Sequence, residues 1–73
     1  MERVTVSSSQ IRSIGFAPES DLTGVLEVEF TNGSVYRYRD VPAALHEELM
    51  GSESVGKVFG AKVRNIYHSE RVS

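Results

Sequence analysis

The strongest constraint on the fold lies between Val25 and Arg39. Two segments there, Val25-Leu-Glu-Val-Glu-Phe30 and Ser34-Val-Tyr-Arg-Tyr-Arg39, alternate in polarity with period two and are joined by Asn32-Gly33. Alternation of this kind marks half-buried strands, and Asn-Gly marks a tight reversal, so the pair reads as a β-hairpin. Its register follows from facial consistency. A two-residue turn sets Tyr36 against Glu29 and Tyr38 against Glu27, mixing apolar and charged residues on both faces. A three-residue loop, with Gly33 left-handed as a bulge, sets Tyr36 against Val28, Tyr38 against Leu26 and Arg37 against Glu27. A one-residue slip exchanges every face, and only the second register makes the two patterns agree.

Upstream, Ile11, Ile14 and Phe16 mark a short extended segment that Pro18 ends, followed by a loop through Glu19-Ser20-Asp21 and Thr23-Gly24. Downstream, Asp40-Val41-Pro42 opens a helix with Pro at its first position, an apolar stripe of Val41, Leu45 and Leu49, and Gly51 as its stop. Ser54 is the N-cap of a second helix. At 100° per residue its Val55, Val58, Phe59, Val63, Ile66 and Tyr67 share an arc of roughly 180°. Gly56 and Gly60 flank that arc and suit close packing. The tail Ser69–Ser73 reads as frayed.

The fold class is therefore α+β: an antiparallel β-meander of about three strands with two C-terminal helices packed on one face. Residues 1–73 make one domain, because a chain of this length allows no second one. A core this small supplies roughly 3–5 kcal/mol. Cysteine is absent, which removes disulfides and thiolate metal sites and fits a cytoplasmic protein. No secretory signal or apolar run of membrane-spanning length is visible, so no membrane association is expected.

The residues walked through above resemble the KTSC family, a short domain named for its occurrence at the C-terminus of some lysyl-tRNA synthetases. The resemblance rests on Ser-x-x-Ile-x-x-Ile-Gly-Phe (Ser8 to Phe16) and Leu-x-Val-x-Phe-x-x-Gly-x-x-Tyr-x-Tyr (Leu26 to Tyr38). It continues through Val41-Pro42 and Ser-x-Gly-x-x-Phe-x-x-x-Val-Arg-x-x-Tyr (Ser54 to Tyr67). Gly60 stands where the family usually has a small polar residue such as Asn, and Val63 where Ile is more usual. The family also occurs as stand-alone bacterial proteins, and RNA binding has been suggested for it. Arg64 matches one of its recurrent basic positions.

Chemistry-bearing patterns are few. His46-Glu47 begins the H-E-x-x-H zinc-protease pattern, but Met50 stands where the second His belongs. His46 is expected on the polar side of its helix. No serine sits in a Gly-x-Ser-x-Gly turn. The expectation is a protein that is not an enzyme, with no cofactor and no metal. Tyr36-Arg37-Tyr38-Arg39 interleaves aromatic and basic residues as sheet surfaces that bind single-stranded RNA do. In the register above, however, both tyrosines face the core beside Leu26 and Val28, and Tyr67 joins them from the second helix. Arg37 and Arg39 then lie outside, next to Glu27 and Glu29. Charge is unevenly placed: residues 40–56 carry −4 and residues 57–73 carry +3. Lys57 and Arg64 share the polar side of the second helix, where Arg64 either binds a phosphate or carboxylate or, the favoured reading, pairs with Glu47, Glu48 or Glu53. Lys62 falls anomalously within the apolar arc.

These features favour a small non-enzymatic binding module acting through protein–protein interaction, as a host accessory protein or a phage-encoded regulator. The alternative is an RNA-binding domain using Arg37, Arg39, Lys57 and Arg64. Candidate contact residues are Arg37, Arg39, Lys57, Lys62 and Arg64. Unblunted strand edges on so small a core also predict a homodimer or larger assembly, formed through an edge or through the side of the second helix that carries Lys62.

Overall fold

The hairpin has the register that facial consistency demands. In a computed structural model describing residues 1–73, β3 (Thr23–Phe30) pairs antiparallel with β4 (Val35–Pro42), placing Leu26 opposite Tyr38, Glu27 opposite Arg37 and Val28 opposite Tyr36. Gly33 closes the loop at φ +94°, a conformation only glycine adopts without strain. β2 (Ile11–Pro18) flanks β3 on its other side, and Pro18 and Pro42 are the last residues of their strands.

The sheet has five strands in the order β1-β2-β3-β4-β5 rather than about three. The two additional strands are its edges, β1 (Arg3–Thr5) on β2 and β5 (Ser69–Arg71) on β4. The tail expected to fray is therefore bound to β4. His68 accepts from the Arg39 N–H, and Val35 exchanges backbone hydrogen bonds with Val72 and Ser73.

Two bulges reconcile the inward-facing residues with the pleat. Ile11 and Ile14 both face the core, although a regular strand would place residues three apart on opposite faces. Register shifts by one residue between Ile11 and Ser13, with Arg12 as the extra residue. Tyr38 and Val41 show the same spacing. There Arg39 and Asp40 lie opposite the single residue Val25, and Asp40 takes φ +56°.

The helices α1 (Ala43–Gly51) and α2 (Val55–Lys62) lie between β4 and β5 in the chain and cover one face of the sheet. Helix α1 starts one residue later than the sequence suggests. Val41 and Pro42 belong to β4, and Pro42 is the extended residue before the helix, not its first turn. Gly51 is the last helical residue, and Ser54 precedes α2, its carbonyl accepting the first intrahelical bonds. Helix α2 is shorter than its apolar arc implies. It stops at Lys62, and the chain turns away at Asn65, which takes φ +64°. Val63 still reaches the core, Tyr67 packs half-buried against it, and Ile66 stands 61% exposed. Gly60 has open space around it and serves no close packing, whereas Gly56 lies against the Ser8 hydroxyl.

The core joins Ile11, Ile14, Leu26, Val28 and Val41 of the sheet to Leu45 and Leu49 of α1 and to Val55, Phe59 and Val63 around α2. Phe59 is fully buried at its centre, edge-on to Phe30 and Tyr38 at centroid distances of 5.6 and 5.4 Å. His46 is half-buried and stacks on Phe16 at 4.7 Å, so it is not the purely polar-face residue expected.

The uncovered face is polar and internally paired. One register row crosses all five strands as Arg3, Gly15, Glu27, Arg37 and Glu70. Arg3 passes over Gly15 to reach the Glu27 carboxylate at 3.0 Å, while Arg37 donates to its other oxygen at 2.8 Å. Between two guanidiniums, Glu27 is only 6% exposed on a face that no other layer covers. In the neighbouring row Ser13 donates to Glu29 at 2.8 Å, and every buried side-chain polar atom of the chain has a partner.

Candidate ligand cleft at Arg64

The interleaved Tyr-Arg-Tyr-Arg strand does not act as one surface. Period two sends its arginines outward and its tyrosines inward, and the structure places each group in a different setting. Arg37 is held by Glu27, and Arg39 is held by Glu70 at 2.8 Å rather than lying beside Glu29. Tyr38 is buried, and Tyr36 is half-buried at the rim, where its ring meets Phe30 edge-on at 5.7 Å.

The candidate contact residues of the second helix also separate. Lys62 pairs with Glu48 on α1, which accounts for its anomalous angle: it bridges the two helices at their exposed side. Lys57, near the start of α2, lines a cleft of about 390 Å³ with Ser7, Ser8, Ser9 and Gln10, and Glu53 shares its wall. Arg64 lies past the end of α2 and lines other cavities, so it does not join Lys57 on a single helical face. Nor does it pair with Glu47, Glu48 or Glu53 as expected. It takes part in none of the five ion pairs.

Instead, Arg64 lies over the Phe59 ring, its guanidinium carbon 5.4 Å from the centroid. The local backbone puts it there. Its N–H reaches back five residues to the Phe59 carbonyl, widening the last turn before Asn65 reverses the chain. This cation–π contact draws the guanidinium toward the ring, and no carboxylate or other side chain of the chain takes up its N–H groups.

Two lobes open beside this arginine, between the hairpin loop and the turn after α2. One, about 280 Å³, is walled by Phe30, Tyr36 and Tyr38 with Asn32 and Ser34 at its mouth. The other, about 260 Å³, is polar, with Ser9, Gln10 and Thr31. Phe30, Asn32 and Arg64 belong to both, and neither contains an acidic side chain. Burial pushes the Tyr38 phenol up from its ordinary pKa, the Arg64 charge pulls it down, and Tyr36 adds to the rise. Tyr38 is thus a neutral hydroxyl near neutral pH. Asn32 uses its Oδ1 to accept the Ser34 N–H at 2.9 Å.

The KTSC domain model matches residues 7–67, the span from the serine run to Tyr67 that includes the whole cleft. The chain belongs to the KTSC family. A KTSC domain protein from Yersinia pestis, known from its crystal structure, shares 32% identity and superposes with a TM-score of 0.88, covering 99% of this chain and 97% of that one. An uncharacterised protein of Stutzerimonas stutzeri is 42% identical over 59 residues, 81% of this chain and 79% of its own length. A protein of Tsukamurella paurometabola is 32% identical over 59 residues, covering 81% and 84% of the two chains. Within this KTSC domain, sequence reasoning found Arg64, Tyr36 and Tyr38 but not their neighbours Phe30, Asn32 and Gln10. The missing signal was Asn65: Asn at a helix end tolerates the left-handed conformation and so marks the stop that turns Arg64 toward the hairpin. No helix is long and apolar enough to cross a membrane, and no cluster of three His, Asp or Glu could hold a metal ion.

Proposed function

We propose that this KTSC domain is a small non-enzymatic binding module that acts through protein–protein interaction, with the Arg64 cleft as its contact surface. One observation carries the reading. Arg3, Arg37 and Arg39 of the sheet are each paired with a carboxylate of the chain, whereas Arg64 lies against an aromatic ring with no carboxylate partner and no acid lining the space before it. Arginine and tyrosine are enriched among the hot-spot residues of protein interfaces.

The RNA-binding alternative has less behind it. Of its four basic residues, Arg37 and Arg39 are engaged by Glu27 and Glu70, which leaves Lys57 and Arg64 in separate clefts. A chain of net charge −2 with an acidic α1 also repels a polyanion. Affinity purification from native host cells, with and without nuclease, separates the two readings when run on the parent and on Arg64→Ala. A protein partner that survives nuclease and is lost with Arg64→Ala supports the proposal. Co-purified RNA that depends on Arg64 overturns it in favour of the alternative.

A further inference from the structure

We infer that the Arg64 cleft takes an acidic peptide motif: one Asp or Glu carboxylate on the guanidinium, with an adjacent apolar side chain in the aromatic lobe. This rests on the protein-binding reading and names what the partner presents. A single guanidinium with no carboxylate partner in the chain offers one bidentate edge, which matches one carboxylate. No second cation lines either lobe, so a chain of phosphates finds only one counter-charge there. Phe30, Tyr36 and Tyr38 line the lobe on one side of the arginine, together with the polar Asn32 and Ser34. That lobe suits a Leu- or Phe-sized side chain. On the other side, Ser9, Gln10 and Thr31 line a polar lobe that can meet the peptide's backbone amides. The larger serine cleft is a poorer acceptor, because Glu53 shares its wall with Lys57 and opposes an incoming carboxylate.

The probe is the blocked tetrapeptide Ac-Ala-Glu-Leu-Ala-NH2, titrated into the full chain labelled with nitrogen-15. Its Gln-for-Glu and Ala-for-Leu analogues and uridine monophosphate serve as comparators. The Arg64 side-chain Nε–H, the Asn32 carboxamide and the Tyr36 amide should shift together and saturate. The Gln analogue should bind about tenfold more weakly, given the strength of charge-assisted over neutral hydrogen bonds. Arg64→Lys, which keeps the charge and loses the fork, should weaken binding several-fold. Arg64→Ala should abolish the shifts while the remaining amide spectrum stays that of the folded parent. Equal affinity for the Glu and Gln peptides, shifts centred on Lys57, or binding of the nucleotide but not the peptide would each overturn the assignment. If a protein partner still depends on Arg64 in purification while no peptide binds, the ligand class fails and the binding-module reading stands. If peptide binds but partner capture ignores Arg64, that reading fails instead.

Discussion

Gly15 lies in the middle of β2 directly beneath Arg3, and replacing it with alanine tests whether the outer charged row stabilises the fold. A Cβ there would sit 2.7 Å from the Glu2 carbonyl oxygen and 2.9 Å from the Arg3 Cγ. The first contact is backbone, so β1 must move away from β2. With it goes the path by which Arg3 crosses to Glu27 at 3.0 Å. A charge-assisted hydrogen bond contributes roughly 1.5–3 kcal/mol. Arg3 is 30% exposed and Glu27 keeps Arg37, so the lower part of that range applies. Where alanine is unstrained, glycine replacement stabilises by about 0.4–1 kcal/mol through the unfolded chain. The two effects have opposite sign, which makes the experiment decisive. Gly15→Ala should destabilise by about 0.5–1.5 kcal/mol net, lowering the melting temperature by roughly 2–12 °C for a domain of this size. Circular-dichroism melts of the parent, Gly15→Ala, Arg3→Ala and the double variant measure the coupling. The double variant should lose clearly less than the two single losses together, because both remove one interaction. A Gly15→Ala protein that melts at or above the parent, or losses that add to within about 0.5 kcal/mol, would refute the role given to this row.

Phe59→Ala should remove about 3–5 kcal/mol, comparable with the whole stability of so small a core, and leave the chain largely unfolded by circular dichroism. A cooperative melt near the parent's would place Phe59 at the periphery. Asp40→Gly should stabilise by up to about 1 kcal/mol in urea titrations, since glycine adopts the left-handed bulge conformation without the Cβ penalty. A loss would show that the Asp40 side chain itself contributes. Burial lowers the His46 pKa, with Glu47 opposing. The unfolded chain therefore takes up the proton first as pH falls. The stability from neutral His46 is complete above the unfolded value of about 6.5 and is lost as pH drops through the lower folded value. Urea midpoints at pH 7 and pH 5 should diverge more for the parent than for His46→Phe, and equal differences would contradict this.

What the sequence revealed and what it hid follow from where each signal comes from. The hairpin was legible because both strands carry one buried and one solvated face, so alternation and Gly33 together left one consistent register. Strands β1 and β5 were not, because Arg3-Val4-Thr5 and Ser69-Glu70-Arg71 bury almost nothing and are held by backbone bonds that no side-chain pattern announces. The bulges at Arg12 and Asp40 gave apolar spacings of three, which belong to neither period two nor period 3.6. Helix α2 was over-extended because Val63 and Tyr67 do pack on the core, but from a turn rather than from a continuing helix. Arg64 was then placed on the wrong surface, and the cleft was missed because its walls come from the hairpin loop, the segment before β2 and that turn. No local pattern joins those three.

Strand β4 separates two kinds of chemistry by the thickness of one peptide layer. On its outer side Arg37 is locked into a row of compensating charges; on its inner side Tyr36 and Tyr38 form the wall of an open cleft. Because Tyr36, Arg37 and Tyr38 alternate between the faces ahead of the bulge at Asp40, the outer and inner side chains of this stretch can vary separately. A substitution at Tyr36 leaves the paired charges untouched, and a substitution among those charges leaves the inner wall its shape. Adjacent letters of one strand thus serve a charged outer row and an aromatic inner wall, with Tyr38 belonging to the core as well.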